Sequence, residues 1–463
     1  MNTQVASPGV EAHSLSRSLR PRHVTMITIG GIIGAGLFVS SSAAIAAVGP
    51  AVVISYVLTG TLVLLVMRML GEMAVAMPEV RSFTEFARAG LGNWAGFVVG
   101  WLYWYFWVIV IPAEAIAGAL ILQQWLPGVS MLVLGTGLMA VLTAVNLMSA
   151  RSYGEFEFWF SSIKVSAIIA FIAFAAAYAF GLVGPHTATL SNLTAHGGFM
   201  PLGPVPVLAT VTTIFFSMMG AEIVTIAAAE SPEPARAVAR MVSTVVWRIL
   251  IFYVASMLLI VCVVPWTLVK PGFSPFTLAL NTMQVPLASS IMSVIILTAV
   301  LSCLNSAFYI ASRVLFVLAG RGDAPRWLVK TNARHVPARS VLLGGLAGFA
   351  GILAREWAPN TVFKFLVNAS GALIVFIYMA IAISQIRLRR ARERSGVGTA
   401  GLRMWLFPWA SYLAIAAMAA VIVAMACSAD LQSQLWVSVV SVAVALLAYA
   451  LRRRPAARSG TSQ

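Results

Sequence analysis

Long apolar runs separated by short polar segments occupy the chain between residues 24 and 451. A membrane-spanning helix needs about 20 predominantly apolar residues, and these runs meet that requirement. The pattern therefore predicts an all-α polytopic membrane protein with about twelve transmembrane helices. The predicted spans are 24–48, 50–77, 95–126, 130–149, 155–182, 205–230, 241–266, 287–319, 338–355, 362–386, 406–427 and 434–451.

Two of the predicted spans contain segments that disfavour a continuous helix. The first holds four glycines between Gly30 and Gly36, and each glycine costs roughly 1 kcal/mol relative to alanine in a helix. The sixth contains the stretch from Phe215 to Glu222, which includes Gly220. A broken helix is tolerated in a membrane only where its freed backbone groups are buried in protein or line a cavity. Interrupted first and sixth spans that enter from opposite sides predict an inverted repeat with a substrate site near the midplane.

The glycines of the first span allow two interpretations. A half-helix that resumes after Gly36 would direct free N–H groups and the positive end of its dipole at a carboxylate. Alternatively, the small residues only allow a second helix to approach closely. The paired break in the sixth span favours a binding site over close packing alone.

The distribution of basic residues predicts the side of the membrane on which each loop lies. Of the 30 lysines and arginines, only Lys270, Arg355 and Lys364 fall on the outer side if both termini are cytoplasmic. Lys164 lies within a span, and the others lie in or near cytoplasmic segments, in agreement with the positive-inside rule. The net charge of +16 therefore follows from topology, and we expect no nucleic-acid partner.

Composition narrows the functional class further. The 463 residues are 60% hydrophobic and 10% charged, and the mean hydropathy is +0.93. The three cysteines all lie in apolar runs, which argues against a disulfide framework, and no two histidines have the spacing of metal ligands. A membrane enzyme needs a nucleophile with a base, or a metal cluster, and a channel needs polar rings along a pore. The sequence shows neither pattern, so we expect no enzymatic activity, catalytic residue, metal or organic cofactor.

The spans predict a single transmembrane domain over residues 23–451, because no connection is long enough for a soluble domain. Residues 79–93 combine apolar and charged positions typical of an amphipathic helix at the membrane interface. The remaining predicted segments are a cytoplasmic tail (1–22), two repeat halves (about 24–182 and 205–386), additional helices (406–451) and a second cytoplasmic tail (452–463).

Ionisable side chains inside the spans require an explanation, because a charge at the bilayer centre costs at least about 2.5–3.5 kcal/mol on insertion scales. Lys164, Glu114 and Glu222 are three such residues. Glu114 is assigned to substrate selectivity or, equally, to structural hydrogen bonding. Arg68 and Glu72 are four residues apart in the second span, and this spacing predicts an ion pair on one helix face.

Several motifs resemble those of the amino acid permeases of the amino acid–polyamine–cation superfamily. They are Gly30–Phe38, Met67–Met73, Gly100–Trp104, Tyr153–Trp159 and Ser302–Ser306. Within that superfamily, Gly220–Ser231 and Val362–Leu366 resemble the bacterial 4-aminobutyrate permeases most closely. The resemblance implies a LeuT-like fold of five plus five inverted helices, with two further helices at the C-terminal end.

The same resemblance implies a substrate site formed by the two helix breaks. Ala35 stands where relatives often have serine or threonine, so backbone N–H groups would hold the substrate carboxylate. Carbonyls near Phe216 and Met219 would accept hydrogen bonds from the ammonium. An aromatic ring would close over the substrate, either Phe216 or its neighbour Phe215, unless Phe216 is only a packing residue. The predicted binding residues are Ile32, Gly34, Ala35, Gly36, Phe216, Ser217, Met219 and Gly220.

The predicted function is import of an amino acid by secondary active transport, through proton symport with alternating access. The best single substrate is 4-aminobutyrate. Lys164 resembles a proton-responsive family lysine, and its fixed charge would repel sodium. Alternatively, Lys164 is permanently charged and is hydrogen-bonded to carbonyls of the broken helix. Glu114 and Glu222 are the next coupling candidates after Lys164. Glu222 also resembles a family gating acid or serves a hydrogen-bond network.

Two alternatives are retained. One is a permease for neutral, aromatic or cationic α-amino acids, and the other is an amino acid sensor that does not transport. The expected location is the bacterial inner membrane, with both termini in the cytoplasm. The expected partners are the amino acid and membrane lipid, with no obligate protein partner, and a proton gradient supplies the energy.

Overall fold

The computed structural model shows an all-helical protein, with no β-strand in the residues that it describes. This confirms the predicted fold class, and every one of the twelve predicted spans contains helix. The described residues are 22–23, 26, 33–34, 36–77, 80, 82–148, 150–184, 189–220, 222, 247–358, 361–396 and 402–452.

The helices follow the apolar runs closely. In the first part of the chain they are α1 (Ser41–Val48), α2 (Val52–Ala76), α3 (Phe83–Leu91), α4 (Asn93–Trp125), α5 (Met131–Met148) and α6 (Ala150–Ala179). The second part contains α7 (Pro204–Met218), α8 (Ser256–Val263), α9 (Pro275–Thr282), α10 (Ala288–Gly320), α11 (Ala338–Trp357), α12 (Val362–Arg394), α13 (Trp409–Cys427) and α14 (Ala429–Arg452). Two π-helical turns, Gly36–Ser40 and Ile249–Ala255, lead directly into α1 and α8.

Nine helical stretches within the described ranges are long and apolar enough to cross a membrane. The first, Gly36–Ala76, includes two predicted spans, which are separated where Gly49 takes a φ of +66°. Two shorter apolar stretches, Pro204–Met218 and Ile249–Val263, correspond to the sixth and seventh predicted spans. The protein is therefore a multi-pass membrane protein. The inverted repeat and the domain bounds stay predictions.

Helix α4 lies at the centre of the bundle. It packs against α5, α10, α11 and α12, and 67% of its most apolar segment is buried inside the protein. The last two helices are peripheral, because only 28% of that segment in α13 and 17% in α14 is buried. Helix α2 packs against α7, and the Ser55 hydroxyl donates to the carbonyl of Val207 at 2.8 Å.

The predicted amphipathic helix forms as α3, but its apolar side faces protein. Phe83 and Phe86 are fully buried, and the Phe83 ring packs edge-on against Tyr103 of α4 at 4.5 Å between centroids. The helix packs against α4 and α12, and its position in the membrane interface stays a prediction. Burying two phenylalanines inside the bundle removes their apolar surface from water as effectively as lipid does.

Helix α12 continues beyond the predicted end at residue 386, as far as Arg394. The predicted pair of Arg68 with Glu72 does not form a close ion pair: Glu72 faces this extension, and Arg68 keeps only a longer-range attraction to it. Its carboxylate lies 3.3 Å from Arg389 and accepts a hydrogen bond of 2.8 Å from Gln385. The Arg68 guanidinium turns away and donates to the carbonyl of residue 403 at 2.8 Å.

A cluster of charged side chains fastens α3, α10 and α14 at one end of the bundle. Asp323, just after α10, accepts hydrogen bonds from both Arg88 and Arg452. Glu85 lies 3.2 Å from Arg88 and 2.9 Å from Arg321. The cluster borders a cleft of about 440 Å³.

Candidate functional site

The first break is satisfied by a lysine from another helix. Ile33 has no regular secondary structure and Gly34 lies in a bend, and a π-helical turn is formed by Gly36–Ser40. The carbonyl of Ile33 accepts a hydrogen bond of 2.9 Å from Nζ of Lys164, which is fully buried on α6. A free carbonyl in the membrane interior is costly, and the ammonium supplies its missing partner. Ile32 and Ala35, both predicted to bind substrate, lie outside the described residues.

The second break follows α7. This helix ends at Met218, Met219 is extended (φ −64°, ψ 155°), and Gly220 has a φ of +102°. Glycine adopts that left-handed conformation without the steric cost that a side chain imposes. The N–H of Gly220 donates to the carboxylate of Glu222 at 3.3 Å. Within the described residues, the first predicted span is thus non-helical at Ile33 and Gly34, and α7 ends inside the sixth.

The two breaks touch each other. A Cβ placed on Gly36 would lie 2.7 Å from the Cα of Ser217, which is closer than real Cβ contacts come. The carbonyl of Ser217 accepts a hydrogen bond of 2.8 Å from the hydroxyl of Tyr253, in the π-helical turn before α8. The segment predicted to bind the carboxylate, at Gly36, is therefore in contact with the segment predicted to bind the amine, at Ser217. Both binding roles stay predictions.

Glu114 lies at the first break. A Cβ on Gly34 would come within 3.1 Å of its Oε1 and within 2.9 Å of Cβ of Cys303. Glu114 and Cys303 belong to α4 and α10, and both side chains are buried. Gly34 is therefore required for close packing of three helices at this point. Glu114 therefore reaches the first break. Its two alternative roles, substrate selectivity and structural hydrogen bonding, stay predictions.

Glu222 is held by two tyrosines. Its carboxylate accepts hydrogen bonds from Tyr103 of α4 at 3.1 Å and from Tyr378 of α12 at 2.9 Å. Glu222 is fully buried, so these bonds offset part of the cost of placing a carboxylate in the interior. The contacts establish a hydrogen-bond network at Glu222, and the gating role stays a prediction.

The two candidate aromatic lids have different surroundings. Phe215 is fully buried, and its ring packs edge-on against Tyr378 at 6.1 Å between centroids. Phe216 packs against the core but keeps part of its surface exposed. Consecutive residues of a helix point about 100° apart, so only one of the two can face the site. The choice between the two rings as the lid over the substrate stays a prediction.

Glu157 is a site residue that the sequence analysis missed. It is fully buried on α6, and its Oε1 lies 3.7 Å from Nζ of Lys164. The hydroxyl of Ser302 bridges the two groups, because it accepts from Lys164 at 2.6 Å and donates to Glu157 at 2.6 Å. The signal was available, since residues seven apart lie on one face of a helix. A buried lysine also calls for a counter-charge.

The chemistry assembled here is suited to holding a small charged molecule. Two broken helices present backbone N–H and C=O groups, and Lys164, Glu157, Glu114 and Glu222 supply buried charges around them. In the described ranges no group of three His, Cys, Asp or Glu residues is arranged to hold a metal ion.

Comparison with known proteins identifies the family. The sequence profile of the amino acid permeases matches residues 23–456. The chain belongs to the amino acid permease family. Members of this family are transporters and not enzymes, and their substrates are amino acids.

Three relatives show how near the similarity is. The chain is 44% identical to the gamma-aminobutyric acid permease of Bacillus subtilis, over 95% of this chain and 94% of the relative. It is 48% identical to a probable GABA permease of Pseudomonas aeruginosa, over 88% and 86% of the two chains. It is 38% identical to the aromatic amino acid transport protein AroP of Corynebacterium glutamicum, over 95% and 96%.

The contact between the breaks makes a prediction about this permease. Replacing Gly36 by alanine places a methyl group against the backbone of Ser217, and overpacking of this kind costs about 1–3 kcal/mol. We expect Gly36→Ala to lower the melting temperature of the purified protein and to abolish uptake in cells with normal expression. Gly137→Ala is the matched control, because nothing lies within 4 Å of a Cβ there. Normal stability and uptake in Gly36→Ala would contradict the described contact.

Proposed function

We propose that this permease imports 4-aminobutyrate across the bacterial inner membrane by proton symport with alternating access. The substrate assignment is supported by the two GABA permease relatives at 44% and 48% identity. The membrane orientation is supported by the basic residues, which concentrate on the side that carries both termini. Alternating access follows if the substrate sits at the paired breaks, because a site inside the bundle must open to each side in turn.

The observation that carries the coupling proposal is the position of Lys164. Its ammonium donates to the carbonyl of Ile33 and the hydroxyl of Ser302, two oxygens of the kind that would coordinate an alkali or alkaline-earth cation. In this proposal the ammonium takes the role that a bound cation would otherwise have at the first break. Proton binding to and release from Lys164 then alter the contact between the broken helix, α6 and α10. A ligand that binds two conformations unequally shifts their populations, and the proton acts as such a ligand.

The substrate pose follows from the two breaks. The carboxylate of 4-aminobutyrate binds the N–H groups at Gly34 and Gly36, where the resumed helix presents its positive end. Its ammonium binds carbonyls at the end of α7, near Phe216 and Met219. An ω-amino acid separates these two charges by more bonds than an α-amino acid does. Spacing between the charges therefore distinguishes the substrate classes.

We expect uptake in proteoliposomes to be inhibited best by ω-amino acids with three to five carbons and poorly by glycine. The panel includes phenylalanine, tryptophan, leucine, proline and lysine, because the relative that transports aromatic amino acids makes an aromatic substrate the second candidate. The methyl ester of 4-aminobutyrate should compete poorly, since it lacks the carboxylate charge. Stronger inhibition by phenylalanine or leucine than by any ω-amino acid would contradict the substrate assignment.

We expect Lys164→Ala to lose accumulation of substrate against a gradient while retaining exchange of labelled substrate in counterflow. In the wild type, uptake should be independent of sodium, rise with an inward proton gradient and collapse with a protonophore. Lys270→Ala is the control, because Lys270 is exposed and remote from α6 in sequence. Accumulation by Lys164→Ala with an unchanged pH profile would exclude Lys164 as the coupling group. Binding without any counterflow in the wild type would instead indicate a sensor.

A further inference from the structure

A continuous polar stripe runs along the contact between α6 and α10, below the first break. On α6 it consists of Tyr153, Glu157 and Lys164, and on α10 of Ser302 and Ser306. Residues three, four, seven or eleven apart lie on one face of a helix, so each set forms a single line. All five side chains are at most 1% exposed. Polar groups buried at this depth in a membrane protein mark a functional pathway more often than a packing interface.

The five side chains form an unbroken hydrogen-bonded chain. Nζ of Lys164 donates to Oγ of Ser302 at 2.6 Å, and Ser302 donates to Oε1 of Glu157 at 2.6 Å. Oγ of Ser306 donates to Oε2 of Glu157 at 3.3 Å. The hydroxyls of Ser306 and Tyr153 lie 3.1 Å apart and share a hydrogen bond. The chain thus leads from the first break to the beginning of α6.

We propose that this chain conducts the coupling proton between Lys164 and the cytoplasm, with Glu157 as the intermediate carrier. The inference rests on the proposed proton symport and adds a route to it. The beginning of α6 lies on the cytoplasmic side in the orientation that the basic residues favour. Glu157 acts through Lys164 and is a positioning and relay residue, not a substrate-binding one.

The transfer is balanced at each step. The ammonium of Lys164 gives one proton to Oγ of Ser302, which releases its own proton to Oε1 of Glu157. This leaves a neutral amine and a neutral carboxylic acid. Rotation of the carboxylic acid then carries the proton from Oε1 to the position of Oε2, and the Ser306 hydroxyl turns from Glu157 toward Tyr153. Glu157 gives its proton to Oγ of Ser306, and Ser306 releases its own proton to the hydroxyl of Tyr153. Tyr153 in turn releases its phenolic proton to water at the cytoplasmic end. A second proton from the substrate side restores the ammonium.

The geometry favours a relay over a simple ion pair. A direct pair of Lys164 and Glu157 would place their charged atoms within hydrogen-bond distance, but they are 3.7 Å apart. The hydroxyl of Ser302 occupies the space between them with a short bond on each side. Burying the charges of Lys164 and Glu157 together has a high desolvation cost. Moving one proton across the Ser302 bridge neutralises both groups.

The cytoplasmic end of the chain is closed in this conformation. The Tyr153 ring stacks on Tyr309 of α10, with centroids 3.9 Å apart and planes 5° apart. The guanidinium carbon of Arg313 lies 4.0 Å from the centroid of the Tyr309 ring, and the Arg313 side chain is 2% exposed. A buried positive charge at the exit opposes proton passage. We infer that the proton leaves only after this Tyr153–Tyr309–Arg313 stack separates, which prevents a leak without substrate.

The other titratable groups acting on Lys164 are Glu114 and Cys303. Both contact Gly34, so they belong to the first break and not to the hydrogen-bonded chain. Cys303 also lies within electrostatic range of Glu157. Any pH profile that implicates Glu157 must therefore be compared with one measured in a Glu114→Gln background.

The test uses the full chain in proteoliposomes that contain a pH-sensitive dye. Two variants interrupt the route: Glu157→Gln keeps the shape of the carrier, and Ser306→Ala removes one hydroxyl and little volume. Ser162→Ala is the matched control, because Ser162 lies on the same helix but its hydroxyl donates to the carbonyl of Phe158 at 2.7 Å and not to Glu157. Melting temperatures of all variants are measured in parallel.

We expect both route variants to retain substrate counterflow while proton-driven accumulation and substrate-dependent proton uptake fall at least tenfold. Their uptake should also lose its dependence on pH, whereas Ser162→Ala matches the wild type in every assay. Wild-type accumulation and pH dependence in Ser306→Ala or Glu157→Gln would overturn the route alone. If counterflow and melting temperature both fell in all three variants, the cluster would have only a packing role. That result would overturn the proposed route as well. A wild type that accumulates substrate without a proton gradient would overturn the proposed symport, and the route with it.

Discussion

A helix that is interrupted inside a membrane must find partners in the protein for its freed backbone groups, and much of this structure serves that requirement. The carbonyl of Ile33 is bonded by Lys164, and the carbonyl of Ser217 by Tyr253. The N–H of Gly220 is bonded by Glu222. These partners come from different elements, so the breaks fix the relative positions of α6, α7 and the turn before α8. Any change at a break is therefore transmitted to several helices at once.

Each satisfied backbone group brings a buried side chain that itself needs support. Lys164 brings Ser302 and Glu157, and Glu222 brings two tyrosines from α4 and α12. The central bundle is thus tied together by polar contacts that depend on the charge state of only a few groups. A transporter benefits from this design, because one proton or one substrate can alter contacts on several helices. The peripheral helices α13 and α14 lie outside this polar centre.

The amino-acid sequence predicted the helices, the loss of helix at Ile33 and Gly34, the end of α7 and the burial of Lys164, because these follow from local composition and from the cost of burying polar groups. Pairings between distant helices were not predictable in the same way. Glu72 selects Arg389 over its neighbour Arg68, since the extension of α12 lies against α2. Glu157 was overlooked because helical spacing shows which residues share a face but not that the face meets Ser302. The amphipathic pattern of α3 identifies an apolar face but not its partner, so the burial of Phe83 and Phe86 against protein was not predictable from it.

The most direct test of the account is a structure by electron cryomicroscopy in lipid nanodiscs with 4-aminobutyrate bound. The account predicts ligand density between the two breaks, with the carboxylate against the N–H groups at Gly34 and Gly36 and the ammonium against carbonyls at the end of α7. Ligand density at another place, such as the cleft beside Arg321 and Arg452, would contradict it. So would a first or sixth span that runs through its break as a continuous helix.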